Sequence, residues 1–256
     1  MQLDLPREGI ERYKNKSQRA RVATESWGQR NLYCANCDSW NLDRLPTNTP
    51  AADFECPECR ARFQLKALSR AFGRRIVDAA YSQMVRAIRE NQTPNLFALH
   101  YRSLEWSVAN LILIPSFAFS ISAILKRKPL RPSAERAGHV GCWILLDAIP
   151  QDVRIPVITD GRPLPPDEIR KQYARVRPLA ELKVEQRGWT LDVLNAVRSL
   201  QRREFALAEV YGMEARLARL HPANKHVRDK IRQQLQILRD MGIVEFLGGG
   251  EYKLRS

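Results

Sequence analysis

The sequence predicts a two-domain protein of the mixed α/β (α+β) class, in which a larger domain carries a four-cysteine metal site and a small domain follows it. Two Cys-x-x-Cys pairs lie close together in the first quarter of the chain. Hydrophobic patterns of periods 2 and 3.6 alternate through the first 184 residues, as expected for mixed strands and helices. The remaining chain shows helical patterns followed by a glycine-turned ribbon. We therefore expect domains over residues 1–184 and 185–256.

Hydrophobic spacing gives the order of elements in the first domain. An amphipathic helix is predicted over 17–27, and a second over about 76–90, where Ile76, Ala80, Met84 and Ile88 recur at helical spacing. Strands are expected near Leu96–Tyr101, Val108–Ile114, Val140–Leu146 and Ile155–Thr159. Prolines between residues 156 and 178 predict irregular connection after these strands.

Four of the five cysteines have the spacing of a structural zinc site. They form Cys34-Ala-Asn-Cys37 and Cys56-Pro-Glu-Cys59, with 18 residues between the pairs. Two residues between cysteines let one tight turn present two thiolates to the same ion, and two such turns complete a tetrahedral site. A disulfide framework and cysteines that simply pack are the alternatives. The spacing favours one Zn²⁺ bound by these four thiolates.

The second cysteine pair lies within a predicted hairpin that also carries an acid and a lysine. Asp53 precedes the pair, and Gln64 and Lys66 lie on one face of the returning strand, because side chains alternate along a strand. Asp53 and the Gln64 amide oxygen are oxygen ligands suited to Mg²⁺, and Lys66 can orient or deprotonate a water. This pattern indicates metal-assisted phosphodiester hydrolysis; a solvated strand face is the alternative reading.

The charge balance indicates a polyanionic partner. The chain has 42 Lys and Arg against 28 Asp and Glu, a net charge of +14, and a sequence pI near 10. Nucleic acid is the leading candidate, and a membrane surface is disfavoured because no apolar run approaches the ~18 residues of a transmembrane span. With reduced cysteines and no signal-peptide pattern, we expect a cytoplasmic protein. We also expect that it binds double-stranded DNA and acts as a monomer.

The second domain has the element order of a winged helix-turn-helix. Three helical patterns run from about Gly188 to Gly242, and Gly248-Gly-Gly250 then turns a short hairpin. On the third helix, polar residues lie opposite the apolar stripe. They are Lys225, Asp229, Arg232, Gln233 and Gln236. Arg and Gln can bond guanine and adenine edges in the major groove, so this face is predicted to bind DNA; a solvated helix face is the alternative.

Several separate stretches resemble the DpnI family of methyl-directed restriction endonucleases over nearly the whole chain. They are Ser17-Gln-Arg-Ala-Arg21, Thr24-Glu25, Trp27, Tyr33 with the first cysteine pair, Ala52-Asp53-Phe54, Leu65-Lys66, Arg127-Lys-Pro-Leu130, Arg136-Ala-Gly138, Gly141-Cys142, Arg187-Gly-Trp-Thr190, Lys230-Ile-Arg-Gln-Gln-Leu-Gln236 and Leu238-Arg-Asp240. The resemblance implies a PD-(D/E)XK nuclease core with an inserted zinc site, joined to a winged helix. It also implies cleavage of the duplex sequence GATC when its adenines carry an N6-methyl group, with both domains reading the site.

The resemblance assigns further residues and shows two departures. Glu25 matches a place where this superfamily sometimes adds a metal or water ligand. Where the family motif has Glu two residues before the lysine, this chain has Gln64, a neutral ligand that removes one negative charge from the metal site. The resemblance implies that Arg136 and the residue after Arg-Ala-Gly contact DNA. Where the family has Trp at this second position, this chain has His139.

Three functional hypotheses follow. The first is a Mg²⁺-dependent, type II endonuclease specific for methylated GATC. The second is a methyl-DNA reader whose nuclease core is weakened through Gln64, and the third is a zinc-containing winged-helix transcription regulator. Lys66 favours the first, because neither a decayed nuclease nor a regulator has a use for a lysine that faces the acid beside a zinc turn.

Overall fold

The computed structural model describes residues 1–47 and 49–255 of the chain. The helices are α1 (Lys16–Asn31), α2 (Tyr81–Arg89), α3 (Pro166–Val176), α4 (Val184–Arg198), α5 (Leu207–Tyr211), α6 (Glu214–Leu220) and α7 (Val227–Asp240). The strands are β1 (Asp43–Arg44), β2 (Phe54–Glu55), β3 (Arg62–Leu68), β4 (Arg75–Ala80), β5 (Asn95–Arg102), β6 (Ser107–Ile114), β7 (Ile124–Lys126), β8 (Gly141–Leu145), β9 (Ile155–Thr159), β10 (Arg162–Pro163), β11 (Glu204–Ala206), β12 (Val244–Gly248) and β13 (Glu251–Leu254). None of the helices in these described ranges is both long and apolar enough to cross a membrane.

The chain divides into two compact units that interleave in sequence. The first unit comprises residues 1–73, 92–116 and 153–174. The second comprises residues 74–91, 117–152 and the chain from residue 175 onward. The chain passes between the units for the last time between residues 174 and 175, before the predicted domain boundary at 184.

The first unit is built on one mixed sheet. Its seven strands run in the order β1-β2-β3-β5-β6-β9-β10. β3 and β5 are parallel, and the other neighbouring pairs are antiparallel. Helix α1 packs on this sheet at Gly28, where an added Cβ would approach Phe54 to 3.0 Å and Leu65 to 3.2 Å. A glycine therefore permits close contact between α1 and the β2–β3 hairpin.

The predicted strands of the larger domain are confirmed, and one predicted helix is wrong in its first part. The expected strands are present as β5, β6, β8 and β9. Residues 76–80 lie in β4, which pairs antiparallel with β8 through Ile76 and Ile144, and α2 begins only at Tyr81. The apolar residues of β4 happen to continue the helical spacing of α2. Sheet pairing decides the conformation here, as tertiary context often outweighs a short local pattern.

The proline-rich segment also differs from expectation, because it contains helix α3. Pro166 is the first helical residue, followed in the first turn by Asp167 and Glu168. Proline is favoured at this position because the first helical N–H has no intrahelical acceptor, and acids there interact favourably with the helix dipole. Proline after the last predicted strand thus starts a helix instead of marking a loop.

The second unit contains the winged helix and a small antiparallel sheet of order β4-β8-β7. In the winged helix, helices α4 to α7 enclose a core that includes Trp189, Leu235 and Leu238. Its sheet has the order β11-β13-β12, in which β11 was not predicted from sequence. The hairpin turns at three consecutive glycines with φ of 94°, 59° and 87°, a conformation that glycine adopts readily. The predicted fold class is confirmed.

Candidate functional site

The four predicted zinc ligands come together in the first unit. Their sulfur atoms all lie within 4.8 Å of one another, with Cys34 Sγ 3.6 Å from Cys59 Sγ and Cys37 Sγ 3.5 Å from Cys56 Sγ. None of these cysteines is in a disulfide. Zn–S bonds of about 2.3 Å in a tetrahedron place sulfurs about 3.8 Å apart, close to the separations found. The four-cysteine cluster can therefore hold zinc.

The surroundings of the cysteines act in opposite directions on their ionisation. Burial raises the pKa of the Cys34 and Cys37 thiols. Burial also opposes ionisation of Cys56, but the backbone N–H groups of Cys59 and Glu58, with thiol hydrogen bonds, lower its pKa to about 7. A thiolate at this position is the form that binds a metal ion.

Arg170 of α3 supports the first cysteine turn, and sequence reasoning missed it. Its Nη2 donates to the carbonyl oxygen of Ser39 at 3.2 Å, and its Nε lies 3.4 Å from the carbonyl oxygen of Cys34. The guanidinium also lies 4.5 Å from the ring centroid of Trp40 and 5.5 Å from that of Tyr33. Since α3 was not predicted, no local signal pointed to this contact.

Asp53 is fixed by the same hairpin that carries the second cysteine pair. Its backbone N–H donates to Phe63 at 2.9 Å, and its own carbonyl accepts from Leu45 at 2.9 Å. Its Oδ2 accepts the Leu65 N–H at 2.8 Å. The carboxylate therefore lies beside the backbone between Gln64 and Lys66, as the sequence predicted for the hairpin.

Burial and nearby charged groups shift the pKa of Asp53. Burial is the main cause that raises the pKa of Asp53, and the charge of Glu25 raises it further. The Leu65 N–H bond and the charges of Lys66 and Arg21 act in the opposite direction. Asp53 therefore lies within electrostatic reach of Glu25, Lys66 and Arg21, and a catalytic role for these residues remains a prediction.

Gln64 and Lys66 occupy alternate positions of β3. Both are half-buried, while Phe63 is fully buried and Leu65 contacts α1 near Gly28. The alternation places Gln64 and Lys66 on the face opposite Phe63 and Leu65, in agreement with the sequence analysis. The role of Gln64 as a metal ligand remains a prediction.

Glu25 is more constrained than the sequence suggested. The residue is 8% exposed, and its two carboxylate oxygens are bound by different arginines. Oε1 accepts from Arg21 Nε at 2.6 Å, and Oε2 accepts from Arg44 Nη2. The hydrogen bond to Glu25 is the main reason why the pKa of Arg21 is raised. Glu25 thereby holds two cations, of which Arg21 acts on the charge of Asp53, and neither arginine was assigned a role at the site from sequence.

The predicted polar face of α7 is exposed. Its apolar side is buried through Val227, Ile231, Leu235 and Leu238. The five residues of the polar face lie in solvent, namely Lys225, which precedes the helix, and Asp229, Arg232, Gln233 and Gln236. The geometry leaves this face available to a duplex.

Arg136 and His139 lie in the connection between β7 and β8, within the second unit. The His139 N–H donates to the Arg136 carbonyl at 3.1 Å, and the His139 carbonyl accepts from Leu130 at 3.0 Å. Gly138 has φ of 76°, which permits the tight turn. From sequence, this segment was predicted to belong to the nuclease domain. The structure groups it with the compact unit that contains the winged helix.

Comparison with protein families gives two matches. A sequence model of DpnI, described as the Dam-replacing family, matches residues 1–182. A second, described as the Dam-replacing HTH domain, matches residues 185–254. The second match covers the winged helix, so this part of the chain is a DNA-binding helix-turn-helix domain.

Proposed function

The chain belongs to the Dam-replacing family, and on that premise we propose that it is a Mg²⁺-dependent endonuclease that cleaves double-stranded DNA at adenine-methylated GATC sites. The observation that carries the proposal is the placement of Asp53 against Leu65, in the electrostatic environment of Lys66 and Glu25. A DNA-binding helix-turn-helix domain in the same chain and the net charge of +14 support a duplex substrate. The GATC preference rests on the resemblance, and monomeric action is a separate expectation.

Each residue of the site has a chemical role in this proposal. Asp53 and Gln64 would hold Mg²⁺, which would supply Lewis-acid stabilisation of the charge on the scissile phosphate. Lys66 orients the attacking water and offsets the negative charge that develops on the phosphate oxygens. Glu25 keeps Arg21 and Arg44 beside the site, where their cations favour an approaching phosphate. Asp53 must be ionised to act as a ligand. Because its pKa is raised, cleavage should decline as the pH falls, and the decline should begin at a higher pH than for an aspartate with an ordinary pKa.

The proposed Zn²⁺ at Cys34, Cys37, Cys56 and Cys59 has a structural role. Four thiolates fill the tetrahedral coordination of zinc and leave no position for a reacting water. Cys56 follows β2 directly and is three residues from Asp53, so the ion fixes the hairpin on which the catalytic acid lies.

Gln64 supports a second candidate function, a methyl-DNA reader with a weakened nuclease core. A neutral amide contributes less to Mg²⁺ binding than a carboxylate does. Incubation of the protein and Mg²⁺ with one plasmid, prepared with and without adenine methylation, tests both candidates. We expect cleavage of the methylated plasmid alone. Tight binding of the methylated plasmid without cleavage would favour the reader, and cleavage of both forms would contradict methyl dependence.

Restoring a carboxylate at position 64 should strengthen the metal site. Gln64→Glu adds a charged oxygen ligand, so we expect a lower Mg²⁺ concentration for half-maximal cleavage and an equal or higher maximal rate. The measurement is initial cleavage rate against Mg²⁺ concentration. Gln64→Glu combined with Lys66→Ala is the control and should stay inactive. Loss of cleavage in Gln64→Glu alone would show that Gln64 is not a metal ligand.

Methyl recognition by α7 should be modest in size. An N6-methyl group projects into the major groove, and its burial is worth about 0.8 kcal/mol, or about 1.6 kcal/mol if both strands are read. We expect the full chain with Lys66→Ala to bind methylated duplex about 4- to 15-fold more tightly than unmethylated duplex through this contact. Gln233→Ala with Gln236→Ala should reduce that ratio, whereas Gln172→Ala on α3 should not. A ratio that the α7 double variant leaves unchanged would place methyl reading elsewhere.

A further inference from the structure

One tyrosine contacts two arginines of α7. Tyr211 is the last residue of α5 and is half-buried. The guanidinium carbons of Arg228 and Arg232 lie 5.3 and 5.6 Å from the centroid of its ring. Arg232 Nε also donates a hydrogen bond to Tyr211 Oη. Positions 228 and 232 are one helical turn apart on the exposed side of α7, so a single ring contacts both side chains.

Each of the two arginines is held by a hydrogen bond from its own Nε. Arg228 Nε donates to Glu214 Oε2 at 2.7 Å, just as Arg232 Nε donates to Tyr211. Over residues 1–47 and 49–255, the terminal Nη atoms of these two side chains make no further hydrogen bond. The Arg228 side chain is 63% exposed, and Arg232 is exposed as well. Each guanidinium therefore keeps its terminal pair of nitrogens available, which is the edge that binds a guanine or a phosphate bidentately.

Arg232 also lies within electrostatic reach of the hairpin. Burial raises the pKa of Tyr252 on β13, and the charges of Arg239 and Arg232 act against it. Tyr252 in turn stacks on Phe205, with ring centroids 5.6 Å apart. Arg232 thus contacts Tyr211 on α5 and lies within electrostatic reach of Tyr252 on β13.

We propose that Tyr211 is a positioning residue that presets Arg232 to bind the O6 and N7 atoms of a guanine in the recognised site, with Arg228 fixed against the same ring. The inference rests on the proposed function, because it requires that α7 meets the major groove of a guanine-containing site. An arginine side chain loses considerable rotamer freedom when it binds, and a tether in the free protein removes part of that loss before DNA arrives. Nε is the nitrogen used for the tether, so the bidentate edge stays intact.

A double-mutant cycle that combines one change in the protein with one change in the DNA tests this role. Tyr211→Phe removes only the oxygen that accepts from Arg232, and 7-deazaguanine in place of guanine in the methylated GATC duplex removes only the N7 acceptor. Equilibrium titrations of the full chain, kept from cleaving by Lys66→Ala, give four affinities. With Tyr211 present, 7-deazaguanine should weaken binding roughly 5- to 150-fold, the range expected for a bidentate base contact.

Tyr211→Phe should weaken binding to the ordinary duplex and shrink the penalty of 7-deazaguanine by about threefold or more, because the guanine contact is already impaired. Tyr13→Phe is the matched control, since Arg12 lies 5.1 Å from the Tyr13 ring in the other unit, and it should change neither affinity. An unchanged 7-deazaguanine penalty in Tyr211→Phe would give Tyr211 a purely structural role and overturn the inference. A chain with Tyr211 intact that binds methylated and unmethylated duplexes equally would instead refute the proposed function.

Discussion

Asp53→Asn and Lys66→Ala are each expected to abolish cleavage while leaving binding to methylated duplex nearly unchanged. Both residues act on metal and water and not on base edges, so their loss raises the barrier of the chemical step alone. Removal of several kcal/mol of transition-state stabilisation corresponds to a rate loss on the order of a thousandfold or more. Asparagine keeps an oxygen that can accept the Leu65 N–H, so Asp53→Asn removes the charge with little disturbance of the hairpin.

Single-turnover cleavage rates, with binding measured separately in the absence of Mg²⁺, separate these two effects. Asp43→Asn is the matched control, because Asp43 is an exposed acid on β1, the strand next to β2. It should cleave at the unaltered rate. Near-normal cleavage by Lys66→Ala would contradict the assignment of the catalytic site, and equal loss of binding and cleavage would indicate damage to the fold.

The parts of the fold that sequence predicted are those whose signal is local. The strands β5 and β6 are apolar runs bounded by turn residues, and the winged hairpin is marked by three consecutive glycines. The misassigned residues 76–80 have a pattern compatible with either element, and their pairing with β8 involves residues more than sixty positions away. No local window contains that partner.

The candidate site likewise contains residues that the sequence predicted and residues that it did not. The cysteine spacing and the order of Asp53, Gln64 and Lys66 along one hairpin are local, and in the structure Lys66 lies within electrostatic reach of Asp53. Arg44 is 19 residues from Glu25 and Arg170 is 136 residues from Cys34, so their contacts depend on how separate elements pack. Ordinary arginines in a basic chain carry no spacing signal that would single them out.

The position of the four-cysteine cluster on the same hairpin as Asp53 predicts that a bound zinc ion would stabilise this hairpin. β1 and β2 are each two residues long, and β2 lies between β1 and β3 in the sheet. So short a segment gains little from its own backbone pairing. Structural zinc contributes an apparent ~10–16 kcal/mol in small zinc domains at neutral pH, as much as or more than the ~5–15 kcal/mol of net stability of a typical domain. The ion is therefore expected to determine whether this part of the first unit folds.

We expect one Zn²⁺ per chain, and we expect Cys56→Ser to lose both the metal and cleavage. Elemental analysis of the purified protein gives the stoichiometry, and Cys142→Ser is the control, because Cys142 lies in β8 outside the cluster and its replacement should leave the zinc content unchanged. Should Cys56→Ser fail to fold, the unaltered protein can be loaded with Co²⁺, whose absorption spectrum identifies a tetrahedral site of four thiolates. A chelator should remove zinc from the four-cysteine cluster more readily as the pH falls. Burial raises the pKa of Cys34 and Cys37, so their thiolates take up protons readily. A chain that purifies without zinc, or a Cys56→Ser variant that folds and cleaves normally, would show that the cysteines merely pack together.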